Sequence, residues 1–91
     1  MTLNQAQRSA QAVITADRQL HYAQRNLSLI RELGRDDMLP VSEELVTDST
    51  AALAEAIAVF RDTSDLTGIY TEDGAVLRAF LIVAETIRET Q

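Results

Sequence analysis

Residues 3–33, which read LNQAQRSAQAVITADRQLHYAQRNLSLIREL, decide the fold of this chain. The stretch contains neither glycine nor proline, so no residue in it interrupts a helix. Small and apolar side chains recur every seven residues in two interleaved sets, which are Ala6, Val13, Leu20, Leu27 and Ser9, Ala16, Ala23, Ile30. This spacing is typical of helices that pack along their length. We therefore predict one helix of about 30 residues, roughly 45 Å long at 1.5 Å per residue.

A glycine and a proline mark the end of this helix and the start of the next. Gly34 stands where a left-handed helix cap is expected, and Arg31 in the last turn suits the helix dipole. Pro40 and Ser42, with acidic side chains after them, are typical of a helix start. The sequence therefore predicts a second helix over about 41–61. Its broad apolar face comprises Leu45, Val46, Ser49, Ala52, Leu53, Ala56, Ile57, Val59 and Phe60.

The rest of the chain contains one further loop and one further helix. Residues 63–70 are rich in polar residues and include Gly68, which favours a loop. Thr71 is a suitable N-cap, and an apolar face follows it, so we predict a third helix over about 71–89. That face comprises Val76, Leu77, Phe80, Val83, Ala84 and Ile87.

Three helices and two short connections predict an all-α fold, a single helical domain over residues 1–91. Consecutive helices joined by short loops usually pack antiparallel. We expect a three-helix bundle, or a helical hairpin with the third helix laid across it, and in both the first helix is the longest. A homodimer in which the long first helices pair is an alternative, because so small a chain buries a modest share of its surface.

The composition excludes several classes of function. The chain has no cysteine, so disulfides, thiolate nucleophiles and cysteine-based zinc sites are excluded. A net charge of −6 argues against direct binding to nucleic acid. Up to residue 35 there are five arginines and two acidic residues, whereas the remainder has three arginines and twelve acidic residues. No apolar stretch resembles a membrane span or a signal peptide, so we expect a soluble, cytoplasmic protein without a membrane partner.

The sequence offers little material for catalysis or for a metal site. His21 is the one histidine, and Asp17, four residues earlier, shares its helix face. Two ligands are too few for a zinc or iron site, and a helix-surface pair explains them. Gly34, Gly68 and Gly74 are isolated, so no phosphate-binding loop is present. We expect no catalytic residue, no cofactor and no metal.

One enzyme family shares the predicted layout. The chain is similar to the helical chorismate mutases in its length, in its three helices with a long first one, and in the dimer considered above. That resemblance would imply cationic side chains that hold the substrate carboxylates, a role that Arg8, Arg18 and Arg25 could fill. The sites of that family also use a lysine, and this chain has none. The arginines do not follow the family's order, so we do not expect a mutase.

A second, thinner apolar line on the first helix suggests a binding surface. Ile14, Tyr22 and Leu29 are expected to lie away from the seven-residue repeat, with Arg18 and Arg25 beside them. Tyrosine and arginine often supply much of the binding energy at protein interfaces. We therefore expect a protein-binding regulator or adaptor of the inhibitor, anti-activator or chaperone type. Its partner would be another protein chain, a second copy of itself included.

Two alternatives remain open. The chain could be a structural subunit that completes a helical assembly. It could also be an acidic decoy of the phage-inhibitor type that occupies a nucleic-acid groove on another protein, with carboxylates in place of phosphates. The carboxylates available for that role are Glu43, Glu44, Asp48, Glu55, Asp62, Asp65, Glu72 and Asp73.

Overall fold

The computed structural model describes residues 3–63 and 74–89. These residues form three α-helices, α1 (Leu3–Leu33), α2 (Leu39–Thr63) and α3 (Gly74–Glu89), and a 3₁₀ turn at Asp36–Met38. No β-strand occurs in these two ranges. Because α1 packs against both α2 and α3, the predicted all-α three-helix bundle is confirmed.

The end of α1 has the geometry that its glycine predicts. Gly34 has φ +68°, a left-handed backbone conformation that residues other than glycine rarely adopt. The Gly34 N–H donates to the Arg31 carbonyl at 3.2 Å, and the Arg35 N–H donates to the Ile30 carbonyl at 3.1 Å. This pair of bonds, a Schellman motif, satisfies two carbonyls that the helix end would otherwise leave without a partner.

The second helix begins earlier than the sequence predicts. The 3₁₀ turn, in which the Met38 N–H donates to the Arg35 carbonyl at 3.0 Å, continues directly into α2 at Leu39. Pro40 therefore lies in the first turn of the helix, where its missing N–H costs nothing. Ser42, predicted as part of the helix start, faces α1 and is buried. The proposed N-cap Thr71 lies outside the described residues.

Two seams on α1 hold the bundle together. The seven-residue repeat forms the first seam with α2: Leu20 and Leu27 are half-buried and its other members are buried. The second seam lies beside the repeat: Ala10 and Ile14 belong to the core cluster that also contains Val76, Ala79, Ile82 and Val83 of α3. Ala10 and Ala79 have no exposed surface, and their small side chains let the two helices approach closely.

The third helix meets α2 mainly through large side chains. The rings of Phe60 and Phe80 pack edge to face, with their centroids 5.6 Å apart and their planes at 85°. The 16 residues of α3 extend about 24 Å at 1.5 Å per residue, roughly half the length of α1. The α1–α2 hairpin therefore continues beyond α3, and the molecule measures 48 × 22 × 20 Å.

One buried hydroxyl gives a stability prediction. The Ser42 side chain is 2% exposed, and its Oγ makes no hydrogen bond. An unsatisfied buried polar group costs about 1–3 kcal/mol, and alanine is the better helix former. We expect Ser42→Ala to raise the melting temperature by about 4–8 °C for each kcal/mol gained in a domain of this size. Circular dichroism recorded during thermal unfolding measures the melting temperature. A lower value for Ser42→Ala than for the unmodified chain would show that the hydroxyl contributes to stability.

Candidate protein-binding surfaces

Most of the apolar line predicted as a binding surface on α1, which comprises Ile14, Tyr22 and Leu29, is exposed. The Tyr22 side chain is 74% exposed, and Leu29 is about half exposed. Arg18 and Arg25 are exposed on the same side of the helix. Leu33, four residues after Leu29, extends the line to the end of α1 and is also exposed.

The prediction that Ile14 belongs to this line is wrong. Its side chain is only 6% exposed and belongs to the core cluster that includes Val76 and Val83 of α3. The seven-residue repeat accounts for the contact with α2, but α3 covers a neighbouring strip of α1. Ile14 lies on that strip and is a core residue, which excludes it from direct contact with a partner.

The second helix contributes its own exposed apolar line. Val41, Leu45, Ala52 and Val59 are all exposed, and the last three are spaced by seven residues. The sequence predicted that Leu45, Ala52 and Val59 share the inward face of α2. They lie on its margin, because Ser49, Leu53 and Phe60 take the buried positions. We call the surface formed by Tyr22, Leu29, Val41, Leu45, Ala52 and Val59 the hairpin face.

Two shallow depressions join the halves of the hairpin face. The first, about 400 Å³, is lined by Tyr22 and Ala23 of α1 and by Leu45 and Ser49 of α2, with Gln19 at its side. The second, about 180 Å³, also includes Leu45 and continues towards the turn between α1 and α2. Its other lining residues are Asn26, Ile30, Asp37, Met38, Val41 and Ser42. The exposed side chains of Tyr22, Val41 and Leu45 therefore border depressions that both helices share.

The hairpin face lies on the side of the hairpin that α3 leaves open. Tyr22 follows the buried Val13 by nine residues, a rotation of about 180° at 3.6 residues per turn. The residues that border α3 along α1 are others, such as His21 and Gln24. A partner can therefore reach the hairpin face without displacing α3.

The two edges of the hairpin face carry opposite charge. Arg18 and Arg25 lie along the α1 edge, and Arg8 precedes them at the N-terminal end of the helix. The α2 edge carries four exposed carboxylates at helical spacing, Glu44, Asp48, Glu55 and Asp62. Within residues 5–62 and 74–89, the ion pairs closer than 4 Å are His21–Asp17 and Arg35–Asp37. The charges of both edges are therefore free to pair with another chain.

The remaining acidic residues of the predicted set do not extend this edge within the described part of the chain. Glu43 is exposed, but its position one residue before Glu44 turns it about 100° away around α2. Asp65, Glu72 and Asp73 lie outside the described residues. Of the five predicted acidic residues that the structure describes, four therefore lie along the α2 edge and Glu43 does not.

A cleft at the end of α3 holds the histidine. It has a volume of about 470 Å³ and is bordered by all three helices. The His21 Nδ1–H donates to the Asp17 carbonyl at 2.8 Å, and Thr50 and Thr86 donate to carbonyls of their own helices, also at 2.8 Å. No cluster of three potential metal ligands occurs in the described part of the chain. His21, Thr50 and Thr86 are thus hydrogen-bonded within the chain, and Gln24, Glu85 and Glu89 also line the cleft.

The outer side of α3 forms a second apolar surface that the sequence prediction did not separate. Leu77, Leu81 and Ala84 are exposed at spacings of four and three residues, and Leu81 is 62% exposed. The sequence assigned Leu77 and Ala84 to the inward face, because apolar side chains surround nearly the whole of this helix. Val76 and Val83 of that predicted face are buried, together with Ala79 and Ile82, which the prediction did not include. We call the line of Leu77, Leu81 and Ala84 the α3 ridge.

Comparison with protein-family models, curated proteins and solved structures gives no match. In the described ranges, no helix combines the length and the apolar character that crossing a membrane requires. The fold and its surfaces define the class of protein: an all-α three-helix bundle with a long helical hairpin and two exposed apolar surfaces.

Proposed function

We propose that this chain is a protein-binding regulator or adaptor that acts through helix–helix contacts on its hairpin face. The observation that carries the proposal is Tyr22, a large aromatic side chain exposed at the border of an apolar depression. Arg18 and Arg25 lie four residues before it and three residues after it. Tyrosine and arginine are enriched among the residues that dominate interface energies.

The second surface suits an adaptor. The α3 ridge is separated from the hairpin face by the whole thickness of the bundle, so one partner on each surface would not compete for space. Contiguous exposed apolar residues on a small protein are typical of interaction sites. A regulator that binds a single protein needs only one of the two surfaces, and variants on each surface distinguish these roles.

Charge on the hairpin face should abolish partner binding without unfolding the chain. We expect Tyr22→Glu combined with Leu29→Glu to remove the contact, because two carboxylates would be forced into an apolar interface. Both side chains are exposed, so the helicity measured by circular dichroism should stay the same. The binding partner can be identified by a photo-crosslinking amino acid at position 22, and its affinity then measured with both purified proteins.

Thr47→Glu supplies the matched control. Thr47 is exposed on α2, its hydroxyl bonds to the Glu43 carbonyl, and it borders neither the hairpin face nor the α3 ridge. We expect this variant to bind the partner as the unmodified chain does. Equal affinity of the Tyr22→Glu, Leu29→Glu chain and the unmodified chain would contradict the proposed function.

The acidic edge of α2 supports one second candidate, the decoy that imitates nucleic acid. Its four carboxylates extend over about 27 Å at 1.5 Å per residue, and none of them is ion-paired with another described residue. Salt separates the two candidates, because exposed charge pairs are screened over about 8–10 Å at physiological ionic strength. Binding that disappears at high salt would favour the decoy, whereas salt-resistant binding would favour the apolar contact.

A further inference from the structure

We infer that the hairpin face binds a second copy of this chain, with α1 of each copy packed against α2 of the other. The inference rests on the proposed protein-binding role of the same face and names the occupant. In this arrangement the two hairpins form a four-helix bundle, and each α3 lies on the outside.

Charge selects this arrangement over the other symmetric one. A two-fold dimer joins the same patch of both copies, so the hairpin faces can meet with α1 on α1 or with α1 on α2. The first arrangement places the basic edge of each copy, which carries Arg18 and Arg25, against the basic edge of the other copy. The second places each basic edge against an acidic edge. Like charges across an interface cost free energy and opposite charges favour the encounter.

The register of the hairpin brings specific charges to the same level. Asp17 and Ala54 border one depression, and Ile30 and Val41 border another, so each pair lies at a similar height along the antiparallel hairpin. Counting inwards from either pair places Arg18 at about the level of residue 53 and Arg25 at about the level of residue 46, to within a few residues. A two-fold axis parallel to the helices preserves these levels.

The charged residues of the acidic edge lie close to those levels. Arg18 would lie two residues from the level of the partner's Glu55. Arg25 would lie midway between the partner's Glu44 and the partner's Asp48. Long arginine side chains span such offsets, because one residue corresponds to 1.5 Å along a helix.

The side of the molecule that carries the hairpin face has the area, and its apolar residues have the spacing, that a dimer needs. Viewed along its narrow direction the molecule measures 48 × 22 Å, roughly 1,000 Å², and a standard interface buries about 800 Å² on each partner. The seven-residue spacing of Leu45, Ala52 and Val59 is that of helices packed side by side. Ala52, at the centre of this line, allows the helices to approach closely.

Two charge-reversal variants test the pairing. One reverses the basic edge by Arg18→Glu and Arg25→Glu, and the other reverses the acidic edge by Asp48→Arg and Glu55→Arg. Each variant alone would place like charges along both α1–α2 contacts, and we expect its dimer dissociation constant to rise about 10- to 100-fold. In an equimolar mixture each contact again joins opposite charges, so a heterodimer of nearly native affinity should form. Sedimentation equilibrium over a dilution series measures the dissociation constants of the two variants and of their mixture.

A pair of apolar variants tests the location of the interface. Ala52→Glu adds a charge at the centre of the hairpin face and should prevent dimerisation. Leu81→Glu adds the same charge to the α3 ridge and should leave the dimer intact. Both positions are exposed, and circular dichroism should show equal helicity.

Three results would overturn the inference: an unmodified chain that stays monomeric up to about 0.5 mM, a dimer that both charge reversals leave unchanged, or a dimer lost through Leu81→Glu but not through Ala52→Glu. None of them contradicts the proposed function. That proposal fails on a different result, when the chain with Tyr22→Glu and Leu29→Glu keeps its affinity for another protein.

Discussion

Alanine in place of Phe60 is expected to lower the free energy of unfolding by about 3–5 kcal/mol, the usual cost of such a truncation in a core. Phe60 has no exposed surface and is the largest fully buried side chain. Its ring meets that of Phe80 edge to face, a contact worth about 0.5–1.5 kcal/mol beyond the area it buries. A chain of 91 residues has a total stability of roughly 5–14 kcal/mol. The substitution should therefore remove a large part of it.

Urea unfolding measures this loss, and Phe80→Ala is the matched control. Phe80 is only half-buried, so its truncation should shift the unfolding midpoint less than Phe60→Ala does. Because the two rings pack against each other between α2 and α3, both variants should also loosen α3 before the α1–α2 hairpin unfolds. Hydrogen exchange would show this as faster exchange of the α3 amides. Equal midpoints for Phe60→Ala and the unmodified chain would refute the assignment of Phe60 to the core.

The C-terminal end and the main seam of α1 were predictable because the local sequence determines them. A helix that reaches Gly34 can end there in a left-handed cap, and no neighbouring helix is needed for that conformation. The repeat that includes Val13 and Ile30 identifies the side of α1 that faces another helix. The start of α2 was predicted less well, since the pattern did not indicate that Asp36–Met38 forms a 3₁₀ turn leading directly into the helix.

The candidate binding surface was only partly predictable, because burial depends on a helix distant in the sequence. Tyr22 lies opposite the repeat, and any packing of that repeat leaves it exposed. Ile14 lies beside the repeat, and its burial depends on where α3 packs. For α2 the sequence shows one broad apolar stripe, and only the position of α1 decides that Ser49 is buried while Leu45 is exposed. The α3 ridge was missed for the same reason.

Glutamate at position 14 should unfold the chain, whereas glutamate at position 22 should not. Ile14→Glu places a carboxylate in a cluster of alanine, valine, isoleucine, leucine and phenylalanine side chains, with no cation among its members. An unpaired buried charge costs several kcal/mol, and the lost burial of the isoleucine adds about 1.5–3 kcal/mol. Tyr22→Glu changes an exposed side chain and should alter stability by about 0.5 kcal/mol or less.

The pH dependence of this loss distinguishes a buried charge from a simple packing defect. Burial disfavours the charged carboxylate, so the pKa of the introduced carboxyl should be higher in the folded chain than in the unfolded chain. The stability of the Ile14→Glu chain is then retained below the pKa that this carboxyl has in the unfolded chain. It is lost as the pH rises through the pKa that the carboxyl has in the folded chain. The difference in unfolding free energy between Ile14→Glu and the unmodified chain should therefore be smaller near pH 4 than near pH 7. Ile14→Gln, which cannot ionise, should show a difference that is independent of pH. If Ile14→Glu were as stable as Tyr22→Glu at both values, then α3 would not cover Ile14, and Ile14 would return to the exposed line of α1.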